Sequence, residues 1–345
     1  MAAGDNLILG IGVGGGRMNR ITLVSLLIIS VILVSIIAGQ NNIITKSTSN
    51  DRRTVYMIVK SSDPNNEFWQ IVRMGAETAA KEFNGDLVFT GPQSETNIQG
   101  QIDILADAIQ KKPAAIVLAA ADYKAVTPMA EKAVKEKIPL ITIDSEIDSK
   151  AAKSFIATDN ITAAEAIGEK LAQLINRKGK VAIVSHIQGT TTAMEREKGF
   201  MNTVSKYKDI EIIGKFYSKS SPEEAYRITK QILREIPDIA GIFGSNQQSA
   251  EGVARAVNDS GMGRKIKIVA FDSSEEQIQY IEKGIIQAVA VQKPFNMGYL
   301  GVKTALMAAR GEKVEKNIDT GFEIITKENM YSPENQKLLF PFVER

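Results

Sequence analysis

The chain has no cysteine, one histidine and one tryptophan in 345 residues, and each scarcity removes a kind of chemistry. Without cysteine there are no disulfides, no thiolate metal sites and no lipid-modified cysteine anchor. With His186 alone, placed after the apolar run 181–184, histidine-based catalysis and zinc chemistry have almost nothing to work with, and a strand-end residue without a catalytic role is the favoured reading. Neither sign of charge dominates: 42 Lys and Arg against 40 Asp and Glu leave +2, which gives no electrostatic case for nucleic acid as a partner. The sequence also lacks GxxxxGK[ST] and HExxH. A phosphate loop, a zincin site and a metal are therefore not expected, and neither is a cofactor.

A long uncharged run is present once. Residues 21–38, ITLVSLLIISVILVSIIA, follow Arg17 and Arg20 and carry no charge over eighteen positions, which predicts a membrane or export segment. An uncleaved signal anchor is expected, because cleavage after Ala38 would leave bulky Ile36 where a small residue is preferred; a cleaved signal peptide is the alternative. The glycines before it (Gly10, Gly12, Gly14, Gly15 and Gly16) imitate a phosphate loop. A dinucleotide fingerprint requires a preceding strand and a following amphipathic helix, so residues 1–17 read instead as a translated ribosome-binding site with the true start at Met18, within a short segment 1–20. Residues 39–53, polar with Asn, Ser and Thr, read as a tether.

Beyond the tether the pattern alternates. Strand-like runs at 55–59, 86–90, 114–121, 140–143, 180–185, 210–216, 239–243 and 266–271 are separated by helix-like stretches at 70–83, 95–111, 126–137, 160–176, 192–206, 221–234 and 247–258. Such a series implies parallel sheets with helices on both faces. The length and an ordinary globular balance allow two units of similar size, with a boundary near Thr158 and no Gly/Ser-rich linker there.

The stretch Lys-Ser-Ser-Asp-Pro-Asn-Asn-Glu-Phe-Trp, residues 60–69, joins the first strand to the first helix. Asn65 or Asn66 suits its N-cap. Phe68 and Trp69 then fall in the first turn, at the carboxyl edge of the sheet, where open α/β folds bind ligands. Rings beside carboxamides suit a sugar, whose C–H faces stack while its hydroxyls hydrogen-bond; core anchoring of the first helix is the competing reading. Further polar residues stand at strand ends: Asp144, Asp159, Asn246, Asp272 and Gln292. Carboxylates at two facing sheet edges could hold a polyol in the cleft between them.

These residues resemble the periplasmic sugar-binding proteins of the ribose-binding type, which share their fold with the effector domains of Lac-repressor-like regulators. The resemblance runs from about residue 54 to about 327. It is carried by Asn65-Asn66-Glu67-Phe68-Trp69, Ile138-Pro-Leu-Ile-Thr-Ile-Asp144, Ile156-Ala-Thr-Asp-Asn160, Phe243-Gly-Ser-Asn246, Val269-Ala-Phe-Asp272 and Val291-Gln-Lys-Pro294. It implies two similar doubly wound parallel-sheet lobes, 54–157 plus 293–320 and 158–292 plus 321–345, joined by hinge crossings near Thr158, Gln292 and Thr320. It implies ligand contacts from Ser62, Asn66, Phe68, Trp69, Asp144, Asn246, Asp272 and Gln292. Where ribose binders carry arginines this chain has Ser145 and Met194, with Arg196 in a position that looks structural. Ser145, Thr158 and Met194 are thus candidate specificity residues. A pocket short of cations is expected to take a neutral monosaccharide, pentopyranose or deoxy sugar ahead of ribofuranose, and no phosphorylated or carboxylated ligand.

Three function classes compete. A binding protein would serve an ABC permease or a membrane-bound sensor kinase from outside the cytoplasm, anchored through residues 21–38. A sugar-responsive regulator would need a basic helix-turn-helix module where this chain has an apolar segment. A carbohydrate-active enzyme would need two carboxylates at a set separation, which nothing in the sequence fixes. The binding protein is the favoured reading.

Overall fold

The computed structural model describes residues 53–340; the expected segments 1–20 and 21–38 lie outside them, as does the expected tether 39–53 except Arg53, which opens the first strand. Among the described residues no helix is long and apolar enough to cross a membrane. Two six-stranded sheets organise the chain. The first contains β1 (Arg53–Ile58), β2 (Gly85–Thr90), β3 (Ala115–Leu118), β4 (Leu140–Ile143), β5 (Ser154–Ala157) and β11 (Asn317–Asp319), ordered β11-β5-β4-β3-β1-β2. The second contains β6 (Gly179–Ser185), β7 (Ile210–Tyr217), β8 (Ile239–Gly244), β9 (Lys267–Phe271), β10 (Ile286–Gln292) and β12 (Phe322–Ile325), ordered β12-β10-β9-β8-β6-β7. All pairings are parallel except β10 with β12. The two orders are the same order written twice, so β1 corresponds to β6 and β4 to β9.

Each sheet is buried on both faces, as its apolar runs require. Successive residues of β1 point to opposite sides. Met57 and Val59 pack with α1 (Glu67–Glu82) and α9 (Pro294–Ala309), and Ile58 packs with α2 (Ile98–Gln110) and α3 (Thr127–Lys135). In the second sheet Ile183, Phe243 and Phe271 meet α4 (Asn160–Leu174) and α5 (Thr191–Val204). On its other side Val184, Ile242 and Ala270 meet α6 (Pro222–Glu235), α7 (Gln247–Asp259) and α8 (Glu275–Glu282). Helices α8, α9 and α10 (Pro333–Leu339) are additions to the sequence pattern. Each sheet with its helices forms one α/β lobe.

The chain passes from one sheet to the other after β5, after β10, and between β11 and β12. Two of these strands are stitched together: Thr320 N–H donates to Ala157 O at 2.9 Å, the Thr158 and Thr320 hydroxyls lie 3.3 Å apart, and Asp159 N–H donates to Asp319 Oδ1 at 3.2 Å.

Helix α9 reaches the first lobe by close approach to α1. A Cβ at Gly298 would lie 1.9 Å from Val72 O, and one at Gly75 would lie 2.0 Å from Phe295 O. Backbone cannot yield as a side chain can, so Gly298→Ala is expected to cost about 1 to 3 kcal/mol. Calorimetry should show a melting temperature lower by roughly 3 °C or more. An unchanged melt would mean the two helices slide apart at no cost.

Candidate functional site

The carboxyl ends of both sheets face one cleft, and the residues there are set by the backbone at the strand ends. Asp144 follows β4 and Asp272 follows β9, at equivalent places in the two lobes. Both adopt left-handed backbone, with φ of +56° and +67°, which aspartate tolerates better than most side chains. Each fastens its N–H to the neighbouring strand, Asp144 to Ile156 O at 3.0 Å and Asp272 to Ala290 O at 2.9 Å. Their carboxylates are thereby turned into the cleft.

Each carboxylate has a cation. Lys60 Nζ lies 2.7 Å from Asp144 Oδ2, and Arg196 Nη1 lies 3.7 Å from Asp272 Oδ2; all four side chains are buried. Asp272 also accepts from Gln292 Nε2 at 2.6 Å and Gln247 N–H at 3.1 Å. Burial pushes the Asp272 pKa above the usual carboxylate range, Arg196 and the Gln292 amide pull it back, and Asp144 adds to the rise. Arg196 stacks over Phe271 at 4.2 Å and donates to Asn160 Oδ1 and Ser245 O, both at 2.8 Å.

Lys60 follows β1 and His186 follows β6, another equivalent pair, and they converge on one hydroxyl. Thr192 Oγ1 lies 3.4 Å from Lys60 Nζ and 3.0 Å from His186 Nε2. Burial first, then Arg196 and Lys60, hold the imidazole pKa well below the ordinary histidine range, so the ring is neutral. Its Nδ1 meets Ser245 Oγ at 2.8 Å.

Asn66, Asn246 and the rings complete the cavity. Asn66 is the N-cap of α1, accepting from Trp69 N–H, and Asn246 is the N-cap of α7, accepting from Ser249 N–H. Phe68 and Trp69 meet edge to face with centroids 4.9 Å apart. Trp69 is 1% exposed and belongs to the first lobe's core, as the core-anchor reading expects, and its ring also lines the cavity.

Every expected contact residue except Ser62 lines this cavity. Ser62 instead donates to Pro92 O at 3.2 Å and ties the β1–α1 loop to the segment after β2. Ser145 is wholly buried and donates to Asp144 Oδ2 at 3.2 Å, while Thr158 belongs to the crossing. Asp159 caps α4 by accepting from Thr162 N–H at 3.0 Å.

Two corrections concern specificity. Met194 does not line the cavity and is 44% exposed, because it sits on a different side of α5 from Thr192 and Arg196. Arg196, expected to be structural only, does line it, and so does Lys60. The site is therefore not short of cations. The spacing Thr192, Arg196, Phe200 was the available signal: residues four apart share a helix face, and Phe200 is core. Lys60 and Glu95 were missed because each reads as an ordinary loop residue.

The cleft is closed. Besides Lys60 to Thr192, Glu146 N–H donates to Thr191 Oγ1 at 3.1 Å, Tyr123 N–H to Gly189 O at 3.0 Å, and Glu275 N–H to Glu67 Oε1 at 3.3 Å, all between lobes. Two buried acceptors, Gln247 Oε1 and Gln292 Oε1, have no hydrogen-bond partner, and both residues line the cavity.

A family model described as periplasmic binding protein domain matches residues 55–313. A D-ribose/D-allose-binding protein of Pseudomonas aeruginosa is 27% identical over 273 residues, 76% of this chain and 85% of its own. The ribose import binding protein of Bacillus subtilis is 24% identical over 281 residues, 81% of this chain and 90% of its own. Among solved structures, a carbohydrate transporter solute binding protein from Agrobacterium radiobacter in complex with D-arabinose is 36% identical with a TM-score of 0.81, over 84% of this chain and 99% of its own. An ABC transporter solute binding protein from Agrobacterium vitis with bound D-fucose is 33% identical with a TM-score of 0.80, over 83% and 99%.

Proposed function

The chain belongs to the periplasmic binding protein domain family, and from that premise we propose that it is an extracytoplasmic sugar-binding protein that closes two lobes around a neutral monosaccharide and hands it to an ABC importer. The lobes are 54–157 plus 293–320 and 158–292 plus 321–345, hinged at the three crossings. The names of its relatives, import proteins and transporter components, support delivery and not catalysis. Anchoring through residues 21–38 rests on the apolar sequence alone, as does the variant in which a sensor kinase receives the closed form.

The observation that carries the reading is the pair of unpartnered acceptors, Gln247 Oε1 and Gln292 Oε1, beside two carboxylates. Buried acceptors without donors are costly, and a polyol can supply O–H groups to both amide oxygens while its other hydroxyls donate to the two carboxylates. The proposed contacts are Asn66, Phe68, Trp69, Asp144, Asn246, Asp272 and Gln292, joined by Lys60, Arg196 and Gln247. Charge argues for neutrality: Lys60 and Arg196 face Asp144, Asp272 and Glu95, so no cation is left over for a phosphate or carboxylate. The preference against ribofuranose loses its ground with Met194 outside the cavity, so ribose stands beside the other sugars.

A melting panel of the full-length chain with D-arabinose, D-fucose, D-ribose, D-allose and ribose 5-phosphate tests this. The preferred sugar at a hundred times its dissociation constant should stabilise the fold by about 2.7 kcal/mol, and should change the emission of the sole tryptophan, Trp69. The phosphate should do neither. A panel in which only the phosphate acts would refute a neutral ligand.

A further inference from the structure

Glu95 belongs to neither set of strand-end residues. It stands half-buried in the segment between β2 and α2, and its two carboxylate oxygens go to different lobes. Oε1 accepts the indole N–H of Trp69 at 2.8 Å. Oε2 accepts the hydroxyl of Ser220, on the second lobe, at 2.8 Å. Ser220 Oγ in turn accepts from Asn246 Nδ2 at 3.2 Å, and the same amide nitrogen donates to Gln248 Oε1 at 2.8 Å. An unbroken line of hydrogen bonds thus joins the stacking ring of one lobe to a cavity amide of the other.

The two bonds to Glu95 differ in what they require. Trp69 and Glu95 lie in the same lobe, so their bond can persist whether the cleft is open or closed. The Ser220 bond spans the cleft and exists only when it is shut. Ser220 is held ready for it. Lys219 and Ser220 both adopt left-handed backbone, with φ of +57° and +53°, a conformation that side chains other than glycine avoid unless surroundings impose it. The imposing bonds are Ser218 N–H to Ser185 O at 2.8 Å and Lys219 N–H to His186 O at 2.9 Å, which fasten the loop to the end of β6.

We propose that Glu95 is a positioning residue that latches the closed lobes through Ser220 while fixing the plane of Trp69, so that it sets how long the ligand stays. This rests on the sugar-binding reading above. With its N–H satisfied by Glu95, Trp69 offers a ligand only its face. Opening must break the Ser220 bond, a charge-assisted one and stronger than a neutral hydrogen bond, before the ring can release its partner. The latch acts after the encounter, so its loss appears in dissociation and not in association.

Stopped-flow fluorescence with D-arabinose, D-fucose, D-ribose and D-allose, using whichever of the four binds the wild type tightest, tests the latch. Ser220→Ala and Glu95→Ala should each raise the dissociation rate about tenfold with the association rate within about twofold. The double variant should be no worse than Glu95→Ala alone, because the shared bond is lost once. Glu95→Ala should shift Trp69 emission in the ligand-free protein and Ser220→Ala should not. Glu95→Gln, able to accept from the indole and donate to Ser220, should recover most of the lost affinity. Losses that multiply in the double variant, or that fall on association, would overturn the latch and leave the sugar reading standing. A wild type that responds to none of the four would overturn both.

Discussion

Asp272→Ala is expected to weaken binding of the preferred sugar by about thirty- to a thousandfold, or about 2 to 4 kcal/mol, with the fold intact. The size follows from what converges on this carboxylate. It takes Gln292 Nε2, Gln247 N–H and the field of Arg196, so its removal frees Gln292 at both ends of its amide and leaves Arg196 without its counter-ion. Ligand hydroxyls then meet a disordered wall where they met fixed acceptors. Alanine also strains the backbone, since φ here is +67°. Asp272→Asn separates the two effects, because asparagine accepts left-handed backbone but carries no charge. Calorimetry should find Asp272→Asn nearly as poor a binder as Asp272→Ala, and a ligand-free melting temperature closer to wild type. An asparagine variant that binds normally would show that the charge at this position is dispensable. One that fails to fold would make Asp272 a structural cap of the β9 edge. Asp144→Ala should behave alike in the other lobe, and a folding failure there would carry the same meaning.

What could be read ahead of the structure was whatever local pattern dictates. Alternating apolar runs fixed the strands because both faces of each sheet are buried, and Asp144 and Asp272 stood out because each ends such a run. A helix opener was legible at Asn65 or Asn66, of which the structure uses Asn66, while Asn246 stood out only as a polar residue at a strand end. Directions were harder. Whether a residue one past a strand faces the cleft depends on which strand lies beside it and on the local φ, and neither is written in the residue itself. Lys60 and His186 illustrate this. Only the matching strand orders reveal that they occupy equivalent places and meet at Thr192. The assignment of specificity to Met194 failed for a related reason. Matching Met194 to the position where ribose binders carry an arginine put that role on the wrong face of α5, and a two-residue error on a helix turns a side chain by more than half a circle. Helix α8 escaped notice because it is two turns long, behind a Ser274 cap that reads as a loop.

Lys60→Met is expected to lower affinity by on the order of a hundredfold, and the reason differs from that for Asp272. Lys60 and Asp144 lie in the same lobe, 2.7 Å apart, with side chains 4% and 5% exposed once the cleft is shut. With the lobes apart, water reaches both groups and the pair is worth little. Closing the cleft dehydrates them together, and an aspartate buried without its cation costs several kcal/mol. Methionine fills the lysine stem's volume but compensates no charge, so the penalty should fall on closure and binding while the ligand-free melting temperature barely moves. The same lysine could instead act by donating to the sugar directly, and a double-mutant cycle separates these roles. If Lys60 serves as the counter-ion of Asp144, then Asp144→Asn should cost much less in the Lys60→Met background than in the wild type, because the uncompensated charge disappears with it. If the two losses simply add, Lys60 is a ligand donor in its own right and the pair is incidental. Small-angle scattering at saturating sugar offers an independent reading. The Lys60→Met chain should stay more expanded than the wild type, and the Lys60→Met, Asp144→Asn chain should recover compaction, since the obstacle to closing is a lone carboxylate and that variant no longer has one.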